Sequence, residues 1–448
     1  MESIFDRIII IDTLFKITKT MYNLYKYGIE FHICIKGGIL MFPRTIQHIF
    51  AESLLNYPVL IVTGPRQVGK STEVYKLVNS HNFNYVTLDD IENRSLALQD
   101  PTYFIQLHGT PLIIDEIQYA PILMEVIESI VNKKRLEEGD ANGMFVLTGS
   151  QTFSMMRKVT QSLAGRATIF KMMPLSMNEI NNEEELPFLP SESLLRKKIK
   201  PKNVNDLFKI IVRGFYPELY KNPNLNESDY YNNYINTYID RDVSELINIK
   251  DKVTFHNFLQ HLATLTSQQV NYTDIARNVG VDSKTIKSWI SILQTSGIVY
   301  LLQPYSETKL VKQITKSPKL YFCDTGLAAH LARVYNSANL LISNLAGPFM
   351  ENYTMNEIMK SYINNNKVFN GYYYRDNNHN EIDLILLENL KIHCIEIKKG
   401  SSFNLGDVKS FHQLDNSQYE LGDSCILCNT EKNYSLKRGI FVYSVNTI

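Results

Sequence analysis

The chain has 448 residues, 44% of them hydrophobic, enough for a sizeable core spread over about two to four domains. Its 46 basic and 46 acidic side chains cancel, which excludes a chain held to nucleic acid or to a membrane surface by net charge; any basic surface has to be local. Apolar runs fall short of the roughly 18 residues of a membrane span, and Asp6, Arg7 and Asp12 break up the apolar start, so neither an anchor nor a signal peptide is expected and a cytoplasmic location is. The scattered cysteines (Cys34, Cys323, Cys394, Cys425, Cys428) suit a reducing compartment. Cys425 and Cys428 have no second pair with which to close a zinc site and read as apolar members of a CILC strand.

Residues 1–40 carry no motif. A helical stripe of Ile46, Ile49, Phe50 and Leu54 follows Met41, which reads as the natural beginning of the first domain. Val59 to Val62 is a short buried strand, and Gly64-Pro65-Arg66-Gln67-Val68-Gly69-Lys70-Ser71-Thr72 follows. This stretch fits G-x-x-x-x-G-K-[ST] at every fixed position, a loop whose backbone N–H groups wrap nucleotide phosphates. Lys70 supplies a charge to the β- and γ-phosphates, and Ser71 offers a hydroxyl to Mg²⁺. After the helix from Glu73 to Asn79, a strand at Tyr85 to Leu88 precedes Pro111-Leu-Ile-Ile-Asp115-Glu116. Asp115 is placed to hold Mg²⁺ through water, and Glu116 to orient or deprotonate the attacking water. A further strand, Met144 to Leu147, ends in Thr148-Gly149-Ser150; it is expected between the strands of the P-loop and of Asp115, with Thr148 or Ser150 near the γ-phosphate. Strands alternating with helices imply a parallel sheet covered on both faces.

Arg166, ahead of a strand at Thr168 to Met172, is the first arginine to test as a phosphate sensor or finger, with Arg213 and Arg241 behind it. Residues 181–205 are rich in Asn, Pro and mixed charge and read as a linker or mobile loop. Tyr230 to Ile247 reads as a tyrosine-rich helix suited to a lid. Residues 254–303 give helix, helix, Gly280 turn, helix (with Ser283 as N-cap) and strand, the order of a winged helix-turn-helix. Its exposed Lys284 and Lys287 suit phosphates but are few. Farther on, a helix from Gly347 to Tyr362 carries Glu351, and the strands Glu381 to Leu387 and Ile392 to Gly400 carry Asp383, Glu396 and Lys398. An acid followed by E-x-K on paired strands is the layout of PD-(D/E)xK nucleases. There Asp383 and Glu396 would share a divalent metal, Glu351 would complete the acidic shell and Lys398 would steady the developing charge.

Across about residues 41–440 the chain resembles the prokaryotic AAA-type ATPases that join a P-loop domain to a C-terminal domain of unknown function. The likeness is carried by MFPRTI, GPRQVGKST, LIIDEIQYAP, LTGSQTF, SLAGRATIF with PLSMNEI, RGFYPEL, YIDRDV, KLYFCDTGL and EIDLIL…IEIKKG. Ser71 stands where members mostly have threonine, a change the Mg²⁺ chemistry tolerates. The resemblance implies an α/β chain: a P-loop NTPase parallel sheet with helices on both faces, a winged-helix unit and a restriction-endonuclease-like end. The expected division is an extension (1–40), ATPase domain (41–180), linker and helical lid (181–253), winged helix (254–305) and nuclease-like domain (306–448). The expected activity is Mg²⁺-dependent ATP hydrolysis whose nucleotide state controls a DNA- or protein-binding C-terminal half. Two alternatives stand beside it: an ATP-gated metal-dependent DNA nuclease, and a non-catalytic ATP-bound switch that docks a protein partner. An oligomer is compatible with all three.

Overall fold

The computed structural model describes residues 35–36, 39–40, 42–150, 162–243, 251–307 and 317–448, with the side chains of 35–36, 39–40, 150 and 240–243 outside the description. The expectations for residues 1–34, for the Ser150 hydroxyl and for the Arg241 side chain therefore lie outside the described residues.

Helix α1 (Gln47–Asn56) leads into β1 (Val59–Gly64), which runs through the P-loop into α2 (Lys70–His81). Then come β2 (Asn84–Thr87), β3 (Leu112–Asp115), α3 (Leu123–Glu138), β4 (Phe145–Ser150) and β5 (Ala167–Lys171). These strands form one parallel sheet of order β2-β3-β4-β1-β5. The third strand in sequence to follow the P-loop thus inserts between β1 and β3, as expected from the motifs. Side chains alternate across β1: Val59 and Ile61 join a core with Phe104, Leu123 and Ile127, while Leu60 and Val62 face Phe50, Val146 and Phe170. This is the P-loop NTPase sheet, with helices on both faces.

The core behind Leu60 and Val62 does not end with the first domain. It continues through Phe215, Tyr234, Phe258, Ile290 and Phe322 to Tyr353 and Leu384. Residues 181–205, expected as a mobile linker, are instead a strap laid on the C-terminal part of the chain. The Phe188 N–H donates to Ser361 (2.9 Å), Asn364 donates to buried Glu185 (2.9 Å), Lys197 donates to the Thr447 carbonyl (2.8 Å), and Tyr443 donates to the Ser191 carbonyl (2.7 Å). It is laid down through one buried charged side chain, Glu185, through Lys197 and through backbone groups, while most of its other charged residues stay exposed.

Beyond the strap lie α4 (Val204–Arg213) and α5 (Glu227–Tyr234), the latter continuing as a π-helix over Ile235–Val243. Next, α6 (Lys252–Thr264), α7 (Tyr272–Val279) and α8 (Ser283–Thr295) precede an antiparallel pair, β6 (Val299–Leu302) and β7 (Lys319–Phe322). Gly280 takes φ 82° to end α7. The cap of α8 is Asp282 rather than Ser283: its carboxylate accepts from the Lys284 and Thr285 N–H groups at 2.8 and 2.9 Å, and its charge makes it the better partner for a helix N-terminus.

The chain closes with α9 (Thr325–Leu331), α10 (Ala346–Ile363), β8 (Gly371–Arg375), β9 (Glu381–Glu388), β10 (Lys391–Ile397), β11 (Ser424–Cys428), β12 (Tyr434–Lys437) and β13 (Ile440–Ser444). The sheet order is β8-β9-β10-β11-β13-β12, antiparallel from β8 to β10 and parallel from β10 through β11 to β13. A two-residue turn joins β9 to β10 with Asn389 and Leu390 both at positive φ (49° and 62°), the pattern of a type I′ hairpin. Every residue of β11 is buried, Cys425 and Cys428 are free thiols, and burial pushes Cys428 up to about 12. They are core residues, as expected.

Candidate nucleotide site and a second acid cluster

The P-loop is shaped by backbone conformations that side chains resist. Gly64 has φ 148°, and a Cβ there would lie 2.2 Å from the Met172 carbonyl oxygen. Gly69 has φ 94° with nothing within 4 Å of where a Cβ would point, so the space ahead of α2 is open to a phosphate. Gln67 also takes positive φ (64°). Lys70 opens α2, only 5% exposed, and its ammonium donates to the loop's own carbonyls, Gly64 (3.0 Å) and Pro65 (2.8 Å). Burial pushes its pKa down to about 8, partly opposed by Glu116 and Asp115.

Asp115 ends β3 at the centre of a hydroxyl cluster. Ser71 donates to its Oδ1 at 3.0 Å, Thr148 donates to the same oxygen, and Tyr85 donates to Oδ2 at 2.8 Å. Burial, then Asp115 itself, holds the Tyr85 phenol above its usual range. A hydroxyl beside a carboxylate is the oxygen donor set a hard cation prefers, so Ser71 and Asp115 fit Mg²⁺. Glu116 follows in the left-handed region (φ 58°); its N–H donates to Thr148 (3.3 Å) and its carboxylate accepts from Gln118. The turn carries Glu116 off the strand end, beside Lys70 and Asp115. Tyr85 and Gln118 were not legible as site residues; each is local to a motif but belongs to no pattern.

The arginines are placed differently. Arg166 precedes β5 at the end of the sheet opposite the P-loop: its carbonyl accepts from the N–H of Val59, the first residue of β1. Its guanidinium donates to Asn132 (2.7 Å) and pairs with Glu128 (3.4 Å) on α3. The length of β1 separates it from its own chain's phosphate loop, about 16 Å at strand rise. Arg213 is 1% exposed, paired with Glu227 and donating to the Leu219 carbonyl, a structural arrangement.

The C-terminal acids do come together. The ladder ending at Leu384↔Ile395 sets Asp383 and Glu396 one step further along, side by side, and α10 brings Glu351 toward them. Lys398 pairs with Glu396 at 2.5 Å. Burial and the Asp383 carboxylate push Glu396 up to about 8; burial pushes Glu351 up to about 7 against the pull of Lys319. The middle of the cluster, however, holds the ammonium of Lys319, the first residue of β7, 3.1 Å from Glu351, 2.6 Å from Glu381 and 3.5 Å from Asp383. Among the described residues no group of three or more His, Cys, Asp or Glu side chains is arranged to hold a metal ion. Where the sequence led one to expect a metal, Glu351 and Asp383 thus meet a lysine from another element, and Glu396 meets Lys398. Lys319 gave no signal in the sequence, standing in KLYFCDTGL far from every acid it meets.

With this geometry in hand, comparison with known proteins defines the class. Residues 56–181 match the AAA domain, 204–338 a domain of unknown function (DUF8612) and 346–448 another (DUF4143). An AAA-type P-loop domain is thus followed in this chain by two domains of unknown function. Uncharacterized proteins of Mycobacterium tuberculosis and Mycobacterium bovis are each 24% identical to it over 353 residues, 78% of this chain and 72% of theirs. Among solved structures, a Walker-type ATPase of Pyrococcus abyssi aligns with TM-score 0.38 and 14% identity over 65% of this chain and 96% of its own. AMPPCP-bound DnaA from Aquifex aeolicus aligns with TM-score 0.27 and 11% identity over 55% of this chain and 86% of its own. No helix among the described residues is long and apolar enough to cross a membrane.

Proposed function

We propose that this protein is a Mg²⁺-dependent ATPase whose nucleotide state is read by its C-terminal half. The observation that carries the reading is the company the P-loop keeps. Tyr230 of α5 donates to Gln67 at 2.7 Å, the Arg66 guanidinium lies 5.7 Å from the ring centre of Tyr238 on the same helical run, and Gly297, after α8, is so close that a Cβ would lie 2.7 Å from Pro65. Three consecutive loop residues are thus touched from outside the first domain. A phosphate that draws Lys70 off the Gly64 and Pro65 carbonyls has to rearrange the loop these contacts rest on.

Chemically, the loop N–H groups and Lys70 bind and orient the phosphates, and Glu116 takes a proton from the attacking water. Mg²⁺ held by Ser71 and Asp115 supplies charge neutralisation at the phosphates. Tyr85 and Thr148 position Asp115. Arg166, remote from its own P-loop, is offered as a finger only to a neighbouring copy of the chain. The signal passes to the helix-turn-helix unit, where exposed Lys284 and Lys287 of α8 are the side chains we assign to DNA or to an acidic protein partner. The test is Mg²⁺-dependent ATP hydrolysis by the full chain, with and without duplex or single-stranded DNA. No hydrolysis in any condition, with nucleotide bound, would leave the binding switch; no nucleotide binding would remove the reading.

A further inference from the structure

The acid cluster of the C-terminal sheet has the layout in which a nuclease keeps a divalent ion, yet a lysine stands in it. We propose that Lys319 is the resident cation of the Glu351–Glu381–Asp383 carboxylates beside Glu396, a built-in replacement for metal that latches the helix-turn-helix unit to the C-terminal sheet. Lys319 starts β7, which pairs with β6 of that unit, whereas its carboxylate partners lie on α10 and β9. The side chain is 3% exposed and its Nζ meets oxygens from both elements at 2.6 to 3.5 Å. Tyr321, two residues along the same strand, donates to the same Glu351 oxygen at 2.6 Å, and the Lys319 ammonium lies 5.6 Å from the ring centre of Tyr373 on β8. The lysine is therefore held by ion pairs and an aromatic face, and its partner Glu351 is fixed by the Tyr321 hydroxyl, so it is not caught in passing.

Charge bookkeeping agrees. Glu351, Glu381, Asp383 and Glu396 bring four carboxyl groups, met by three cations, Lys319, Lys398 on Glu396 and Arg375, 3.4 Å from Glu381, while burial and the Asp383 carboxylate push Glu396 up to about 8 and so favour its neutral form. A divalent ion would have to approach the oxygens on which Nζ sits, at the roughly 2.0–2.6 Å such ions require, against a fixed positive charge. Taking Lys319 away leaves the acids short of cations in a buried site, the condition under which a cluster of carboxylates draws in a metal. The inference is independent of the ATPase reading, since it concerns residues that touch no part of the P-loop.

The test uses the nucleotide-free full-length protein and Mn²⁺ alone, followed by calorimetry and by the loss of the free-ion paramagnetic signal. Wild type is expected to show no Mn²⁺ binding that Asp383→Asn removes. Lys319→Met is expected to gain one Mn²⁺ per chain, lost again in Lys319→Met with Asp383→Asn. Asp383-dependent Mn²⁺ binding by wild type would overturn the proposal, as would a folded Lys319→Met chain, judged by circular dichroism, that gains none. Should Lys319→Met not fold, amine acetylation of native wild type decides, read by mass spectrometry. Lys319 should stay protected with or without millimolar Mn²⁺ while Lys398, 41% exposed, is labelled. Labelling of Lys319 that appears with Mn²⁺ would mean that metal displaces the lysine, and the proposal fails.

Discussion

Two lysines sit among carboxylates in this molecule, and their opposite conditions separate a site that waits for a ligand from one already closed. Lys70 is buried against carbonyl oxygens with Asp115 and Glu116 near but not in contact, and burial drags its pKa down to about 8. Lys319 is equally buried, but there the carboxylates of Glu351, Asp383 and Glu381 outweigh burial and hold its ammonium above the ordinary lysine value. An under-compensated cation at the mouth of an open glycine loop calls for an anion, which phosphates supply. A compensated one calls for nothing. Charge count and burial look alike in the two places; the geometry of compensation differs.

The comparison breaks most visibly if the paired glutamates behave alike. Glu116→Gln should retain nucleotide and lose turnover by on the order of 10²–10⁴-fold, whereas Glu396→Gln should leave turnover unchanged; single-turnover kinetics with a separate binding measurement distinguish them. Equal loss of binding and turnover in Glu116→Gln would make that residue structural. Next in size, Lys319→Met should cost about 3–5 kcal/mol of stability, because removing one partner leaves buried charge uncompensated, with ATP affinity unaltered. Denaturant titration beside a nucleotide titration checks both halves of that statement. Lys70→Ala should do the reverse: weaken ATP binding by about 1.5–3 kcal/mol or more, and cost little stability.

The lowered pKa of Lys70 gives the comparison a pH axis. The free chain loses this proton near pH 8, below the ordinary 10.5, while bound phosphates favour the charged form. Binding therefore takes up a proton above pH 8, and affinity should fall by up to about tenfold per unit there and be flat from this group below it. The same shift means the unfolded chain holds more protons between pH 8 and 10.5, so the nucleotide-free fold gains stability as pH rises through that window. Affinity that stays level to pH 9.5 (about 1.5 units past the midpoint,) would show that Lys70 is already compensated, like Lys319. The smallest expected effect is that of Tyr230→Phe, which removes the bond to Gln67 at about 0.5–1.5 kcal/mol. Its diagnostic readout is the ATP-dependent change in fluorescence of Trp289, the single tryptophan of the chain, packed on Phe255 and Phe258 in the helix-turn-helix unit. That change should shrink in the variant while hydrolysis persists.

What the sequence disclosed follows from how local each feature is. The P-loop, Asp115 and the insertion of β4 between β1 and β3 were legible because each is a contiguous run whose pattern carries its own geometry. The acids Asp383 and Glu396 were legible as a pair because a hairpin relates them. Their cation was not: Lys319 meets Glu351, Glu381 and Asp383 across tens of residues, and no periodicity links β7 to β9. The strap at 181–205 read as a linker or mobile loop because most of its charged residues do face water; only Glu185 among them is buried, and the backbone bonds that lay it down leave no mark on composition. Helix α10 was legible in its bounds, expected from Gly347 to Tyr362 and found over Ala346–Ile363, but its burial was not, because Asn352, Asn356, Glu357 and Lys360 are buried along with its apolar residues, which leaves no stripe to read.

That helix has a consequence for how the protein is made. Glu357 accepts from the Met177 N–H at 2.7 Å, and Lys360 donates to the Leu175 carbonyl at 2.7 Å, so the chain just after the first sheet finds two of its partners in α10. The Met177–Glu357 pair is separated by 180 residues, which a ribosome takes about ten to thirty-five seconds to add. Over that interval the nascent P-loop domain presents the Leu175 carbonyl and the Met177 N–H without these partners. A chain stalled before α10 would already carry Tyr230 and Gly297 for the P-loop but would lack the partners of Leu175 and Met177, which makes the arrival of α10 the step that ties the end of the first domain to the C-terminal part of the chain.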